Sequence, residues 1–194
     1  MLYSTHQKQT LEVNKMKNIN TFAKSVTKLM EVIHWIGAAL VAAAAVCAPN
    51  QFLAFLSLDA AASGAVTVST YGFEVSTLLS AGTTAFTLFG IGAAVILVAM
   101  AMVWRNLFLI FKKSENATLF QKDNFRMIKE IGIFAIAIPV VGLIMSAVIR
   151  LVCGVDAAEV SVHLGGILAG AVILCLNRNL IRSASSVKTA EAAL

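Results

Sequence analysis

The sequence predicts an all-α integral membrane protein with four membrane-spanning helices and both termini in the cytoplasm. Three observations carry that prediction. The apolar fraction is 59% and the charged fraction 13%, against about 45–50% and about 25% in soluble domains. The apolar residues come in long blocks and are not dispersed at amphipathic spacing. Of the 15 basic residues, 14 fall on one side of those blocks. With 194 residues, the chain is one bundle and not several domains.

A helix needs about 20 mostly apolar residues to cross about 30 Å of hydrocarbon. Segments 29–48, 78–104, 128–152 and 160–176 meet that requirement. No charged residue lies between Ile33 and Ala48, Val75 and Trp104, Ile131 and Ile149, or Val160 and Leu176. The first block is full-length and follows a long basic lead, so it reads as a span and not as a cleaved signal. The organisation is therefore a cytoplasmic extension (1–28), a transmembrane domain (29–176) and a cytoplasmic tail (177–194).

Orientation follows from the loops, because cytoplasmic loops retain Lys and Arg. Lys8, Lys15, Lys17, Lys24 and Lys28 precede span 1; Arg105, Lys112, Lys113, Lys122, Arg126 and Lys129 separate spans 2 and 3; Arg178, Arg182 and Lys188 follow span 4. The other side holds Arg150 with Asp59, Glu74, Asp156 and Glu159. The net charge of +5 thus reflects topology, and direct nucleic-acid binding is not expected.

Residues 13–33 form an amphipathic lead into span 1, with Val13, Met16, Ile19, Phe22, Val26, Leu29 and Ile33 recurring every three or four positions. They read as a helix anchored by positive-inside lysines, with an interfacial helix on the anionic leaflet as the alternative. Met16 offers a second start, which would leave 1–15 as a poorly ordered extension. The outer loop, 49–75, contains A-V-T-V-S-T-Y-G-F-E-V at 65–75. Tyr71–Gly72 is placed to turn two short strands into a hairpin leaning on the helix ends. The inner loop, 105–129, is short and basic. The tail lacks periodicity and reads as frayed.

Candidate chemistry is sparse. His34 near the inner end of span 1 and His163 near the outer end of span 4 lie on the order of 20 Å apart, too far to share one haem iron. No cofactor or metal is expected. Arg150, Asp156, Glu159 and His163 gather at the outer ends of spans 3 and 4, as a polar ligand site or as boundary anchors. Cys47 and Cys153 both fall near the outer face, where a disulfide and two free thiols are both open. Thr77, Ser80, Thr84 and Thr87 share one face of span 2, and Gly166 and Gly170 form a G-x-x-x-G spacing in span 4. Small and hydroxyl residues let membrane helices pack closely. A polar pore face is the functional reading of span 2. With no intramembrane charge pair and no broken helix in the spans, helix packing is the expected role, and Pro139, which can kink span 3, suits either. No nucleophile triad, phosphate loop, zinc pattern or paired-carboxylate site is present, so an enzyme is not expected.

The approach to span 3 reads N-A-T-L-F-Q-K-D-N-F-R-M-I-K-E-I-G at 116–132. Phe120, Asn124, Ile128, Ile131 and Gly132 fit a short F-x-x-x-N-x-x-x-L-x-x-I-G signature, with Ile128 in place of Leu. In this, and in its four-span layout, the chain resembles the bacterial membrane family known as domain of unknown function 2975. Gln121 stands where that family has Ser, and 117–119 lack its Gly-x-Pro lead, so the likeness is to a distant member. As a helix start, Phe120 would staple onto Phe125, and Asn124 would reach an unpaired backbone N–H from the third helical position.

Such proteins are often encoded beside a small helix-turn-helix regulator. The resemblance therefore implies a non-enzymatic regulatory or sensory protein of the bacterial inner membrane, with Lys112, Lys113, Lys122 and Arg126 docking that partner. The alternative is a small transporter, or a protein giving immunity or resistance to membrane-active compounds. A transporter should show a polar path near the midplane, and none is visible in the sequence. Ligand and oligomeric state stay open.

Overall fold

The computed structural model describes residues 2–52, 54, 67–70, 73–76, 78–113, 122–154 and 164–191. In chain order the elements are α1 (Leu2–Cys47), β1 (Thr67–Thr70), β2 (Phe73–Ser76), α2 (Leu78–Lys113), α3 (Lys122–Cys153) and α4 (Leu164–Glu191). Each of the four helices contains a stretch long and apolar enough to cross a membrane: Ile19–Cys47, Gly82–Lys113, Asp123–Cys153 and Leu164–Ser183. The fold is that of an all-α membrane protein, with four helices among the described residues long and apolar enough to span the bilayer.

The helices outrun the apolar blocks. At about 1.5 Å rise per residue, the 46 residues of α1 reach about 70 Å, more than twice the hydrocarbon thickness. The extension 1–28 is therefore helical from Leu2 and continuous with span 1. Helix α2 runs through Arg105 to Lys113 and α3 begins at Lys122, so most of the expected inner loop 105–129 is helix. Residues 177–191 continue α4 in place of a frayed tail. The physical reason is common to all three. Lys, Arg and Glu end an apolar run without ending a helix, because they are good helix formers.

One break was not expected. Gly82 adopts φ 74°, ψ −175° inside α2, a backbone region that costs any L side chain steric strain. It separates the turn Leu78–Ala81 from the span, which starts four residues later than the apolar block. Gly154, at φ 63°, ends α3 in the same permissive way, its N–H donating to the Arg150 carbonyl at 3.0 Å.

Helices pack in chain order. Helix α1 lies on α2, α2 on α3 and α3 on α4, with the antiparallel pair β1–β2 against the ends of α2 and α3. In that pair Thr70 faces Phe73 and Thr67 faces Ser76. After a break at Ala48 the chain is helical again over 49–52, and the Phe52 ring stacks on Phe86 with centroids 5.4 Å apart.

Small residues set the crossings. A Cβ on Gly90 would lie 2.3 Å from the Ala45 Cβ, and one on Gly92 2.8 Å from the Met145 Cγ. A Cβ on Gly170 would lie 2.7 Å from the Gly132 carbonyl oxygen, so α3 and α4 touch backbone to backbone. Gly166 faces Ala135 and Pro139 of α3 less tightly, at 3.4 Å. Around these contacts lies an apolar core of Ala45, Ala85, Phe86, Phe89, Ala93, Ile96, Ile138 and Ile149.

Of the span 2 hydroxyls, Thr87 donates to the Ala45 carbonyl across the α1–α2 contact at 3.1 Å, while Thr84 is exposed. Thr77 and the Ser80 side chain lie outside the described residues. Interhelical hydrogen bonds of this kind contribute about 0.6 kcal/mol in membranes. Thr87→Val is accordingly expected to lower unfolding free energy by about that amount, measured by denaturant titration in detergent micelles.

Candidate functional site: a polar layer at the basic end

The buried polar side chains are not scattered. Thr27, Glu31 and His34 of α1, Asn106 of α2, Asn124 of α3 and Asn177 of α4 are all buried, and all lie toward the helix ends that carry the lysines and arginines. In the half of the bundle nearer the strand pair, Ser146 is the one buried polar side chain among the described residues. The interior is thus polar at the basic end and apolar at the hairpin end.

Helix α1 brings three groups to this layer at one-turn spacing, Thr27, Glu31 and His34. Thr27 returns its hydroxyl to its own helix, donating to the Ala23 and Lys24 carbonyls at 2.8 and 3.0 Å. Glu31, on the inner wall, is met by Lys28 at 3.0 Å. The ammonium of Lys28 also sits 5.3 Å from the centre of the Phe108 ring on α2, a distance at which the ring quadrupole attracts it. His34 donates its Nδ1 proton to the Met30 carbonyl at 2.7 Å; its ring stands 6.4 Å from that of Trp104. Further out, Asn20 Nδ2 donates to the Phe111 carbonyl at 3.2 Å, tying α1 to the last turn of α2.

Helices α2 and α3 are joined by a second set. Asn106 Nδ2 donates to one carboxylate oxygen of Glu130 at 3.1 Å, and Arg126 Nε donates to the other at 3.0 Å. At the rim, Lys113 pairs with Asp123 at 2.7 Å. These groups, with Met102, Leu109 and Met127, line an open cleft of about 360 Å³. Trp104 Nε1 and Asn177 Oδ1 are buried with no hydrogen-bond partner among the described residues. Each marks a polar group facing the interior at some cost.

The sequence-predicted residues distribute as follows. Lys113 and Arg126 both border the α2–α3 cleft, whereas exposed Lys112 borders a different groove between α1 and α2; the side chain of Lys122 lies outside the described residues. Asn124 and Phe125 are buried in the first turn of α3, Asn124 at its third residue. Phe120 and its staple lie outside the described residues. Ile131 is buried, Ile128 half-buried, and Gly132 receives α4. Of the outer cluster, Arg150 is exposed on the last turn of α3; Asp156, Glu159 and His163 lie outside the described residues. Cys47 and Cys153 hold free thiols.

Sequence reasoning missed Glu31, Asn106, Glu130 and Asn177. Their signal was a single polar residue inside or flanking an otherwise apolar helix, on the face that packs. Among the described residues no three His, Cys, Asp or Glu side chains come together to hold a metal ion. What the arrangement can do is fix charge. It locks three helices together at the basic end and leaves Arg105, Lys112, Lys129, Arg178 and Arg182 exposed around them. Comparison with protein-family models, with curated proteins and with solved structures finds no match to this chain.

Proposed function

We propose that this protein is a non-enzymatic regulatory or sensory membrane protein of the bacterial inner membrane. Its basic end lies in the cytoplasm and docks a small helix-turn-helix regulator. One observation carries the reading: among the described residues, every buried polar side chain but Ser146 and every exposed cation but Arg150 lies at the same end of the bundle. A rigid, positively charged face is suited to an acidic surface on a soluble partner. The likeness of 116–132 to the four-span family supports the class of partner. In mechanism, a change at the hairpin end or in the bilayer shifts the bundle between two arrangements that differ in affinity for the regulator.

The transporter and immunity readings draw less support, because among the described residues Ser146 is the one buried polar side chain in the hairpin half. Substituting Lys112, Lys113 and Lys122 together by Gln is expected to abolish co-purification of a small helix-turn-helix protein from the native host in mild detergent. The Lys113–Asp123 pair is exposed, and exposed pairs contribute about 0–1 kcal/mol, so the triple variant stays folded. Capture of no cytoplasmic protein by the wild type in several detergents would sink the reading and direct attention to transport and drug-survival assays.

A further inference from the structure

We infer that the groove between α1 and α2 at the basic end holds one anionic phospholipid. On α1 its wall is built from Lys24, Ser25, Lys28, Leu29 and Val32; Phe108 and Lys112 of α2 face them across a space of about 530 Å³. Lys24, Lys28 and Val32 are four residues apart and share one helical face. On the antiparallel α2, Phe108 and Lys112 are also four apart. The Lys28–Phe108 contact at 5.3 Å sets the two stripes in register. Lys24 and Lys112 therefore lie about one turn further toward the basic end, and Val32 about one turn in the opposite direction.

The groove is thus cationic at one end and apolar at the other over about 11 Å, two helical turns. That polarity is the polarity of a phospholipid in the adjoining leaflet. A phosphate at the cationic end meets Lys24 and Lys112, while Lys28, shared with Glu31 at 3.0 Å and with the Phe108 ring, closes the floor. The first methylenes of an acyl chain then follow Leu29 and Val32. Both are exposed large apolar residues within the membrane-crossing part of α1. A soluble anion would use the lysines and leave those two side chains without a role. Charge attraction to anionic headgroups alone acts at any surface lysine; here it is combined with an apolar wall that continues the same groove. The inference stands apart from the regulator reading, since it concerns a lipid and can hold or fail with no regulator present.

The test is native mass spectrometry of the full chain released from micelles containing equal amounts of phosphatidylglycerol and phosphatidylcholine. Retention of phosphatidylglycerol over phosphatidylcholine is expected, falling about tenfold in the Lys24→Gln/Lys112→Gln double variant and unchanged in Lys129→Gln, an exposed lysine on α3. Circular dichroism checks that each variant keeps its helix content. Val32→Asn, which leaves every lysine in place, is expected to weaken retention too, an effect that charge attraction alone does not produce. Equal retention of the two lipids, or equal loss in Lys129→Gln, would overturn the inference. So would displacement of the lipid by inorganic phosphate or by an acidic peptide, which would assign the groove to a soluble anion or to a protein.

Discussion

Leucine in place of Gly170 is expected to detach α4 from the bundle. Among the described elements helix α4 packs on α3 alone, and Gly170 lies tight against it. A Cβ there would lie 2.6 Å from Ile136 Cγ1, 2.7 Å from the Gly132 carbonyl oxygen and 3.1 Å from the Ile136 backbone nitrogen. Two of those three neighbours are backbone and have no rotamer to move into. Overpacking against side chains costs about 1–3 kcal/mol; against backbone the upper end, about 3 kcal/mol, is expected. Gly165 supplies the control, because nothing lies within 4 Å of a Cβ built there. Gly165→Leu should stay within about 0.5 kcal/mol of wild type. Detergent unfolding followed by circular dichroism, with limited proteolysis near the end of α4, compares the two. Equal behaviour of both variants would mean that α3 and α4 do not cross at these glycines.

The second large effect is expected at Glu130, which accepts from Asn106 of α2 and Arg126 of its own helix. Glu130→Leu leaves the buried Asn106 amide without this acceptor, a loss of about 1–3 kcal/mol. Asn106→Leu alone should cost less, because the Glu130 side chain is 32% exposed and keeps its bond to Arg126. The double variant should cost clearly less than the two singles together, because each removes the same bond, giving a coupling of about 0.5–3 kcal/mol. Arg126 is 82% exposed, so Arg126→Gln should change stability by less than about 1 kcal/mol. Strict additivity of the Asn106 and Glu130 variants would show that the bond does not join α2 to α3.

The four spans were legible because a bilayer demands long uncharged blocks, and such blocks survive any ambiguity of period. Helix lengths were less so. Lys112 and Lys113 end the apolar run of α2 but also finish its last turn, and the alanines and polar residues after Asn177 carry α4 on to Glu191. The break at Gly82 gave no sign, since a glycine in an apolar run reads equally as a packing residue; only the surrounding structure forces its φ to 74°. The same holds for Gly132, which in sequence belonged to a helix-start signature and in space receives α4. The polar layer was hidden for another reason. Glu31, Asn106 and Glu130 look like boundary residues until the antiparallel register of α1, α2 and α3 brings them to one level. Pairing across helices is a property of register, which no local pattern states.

The proposed docking face requires the basic end to lie in the cytoplasm, and cysteine accessibility measures that directly. Cys47, Cys153 and Cys175 are first replaced by Ala, and single cysteines are placed at Ser69 in β1 or at Ser185, exposed near the end of α4. A membrane-impermeant maleimide is then applied to intact cells with a permeable outer envelope. Labelling at position 69 in intact cells, and at position 185 only after the inner membrane is opened, is the expected result. Labelling of position 185 in intact cells would contradict it, putting the lysines and arginines outside and leaving a cytoplasmic regulator nothing to dock on.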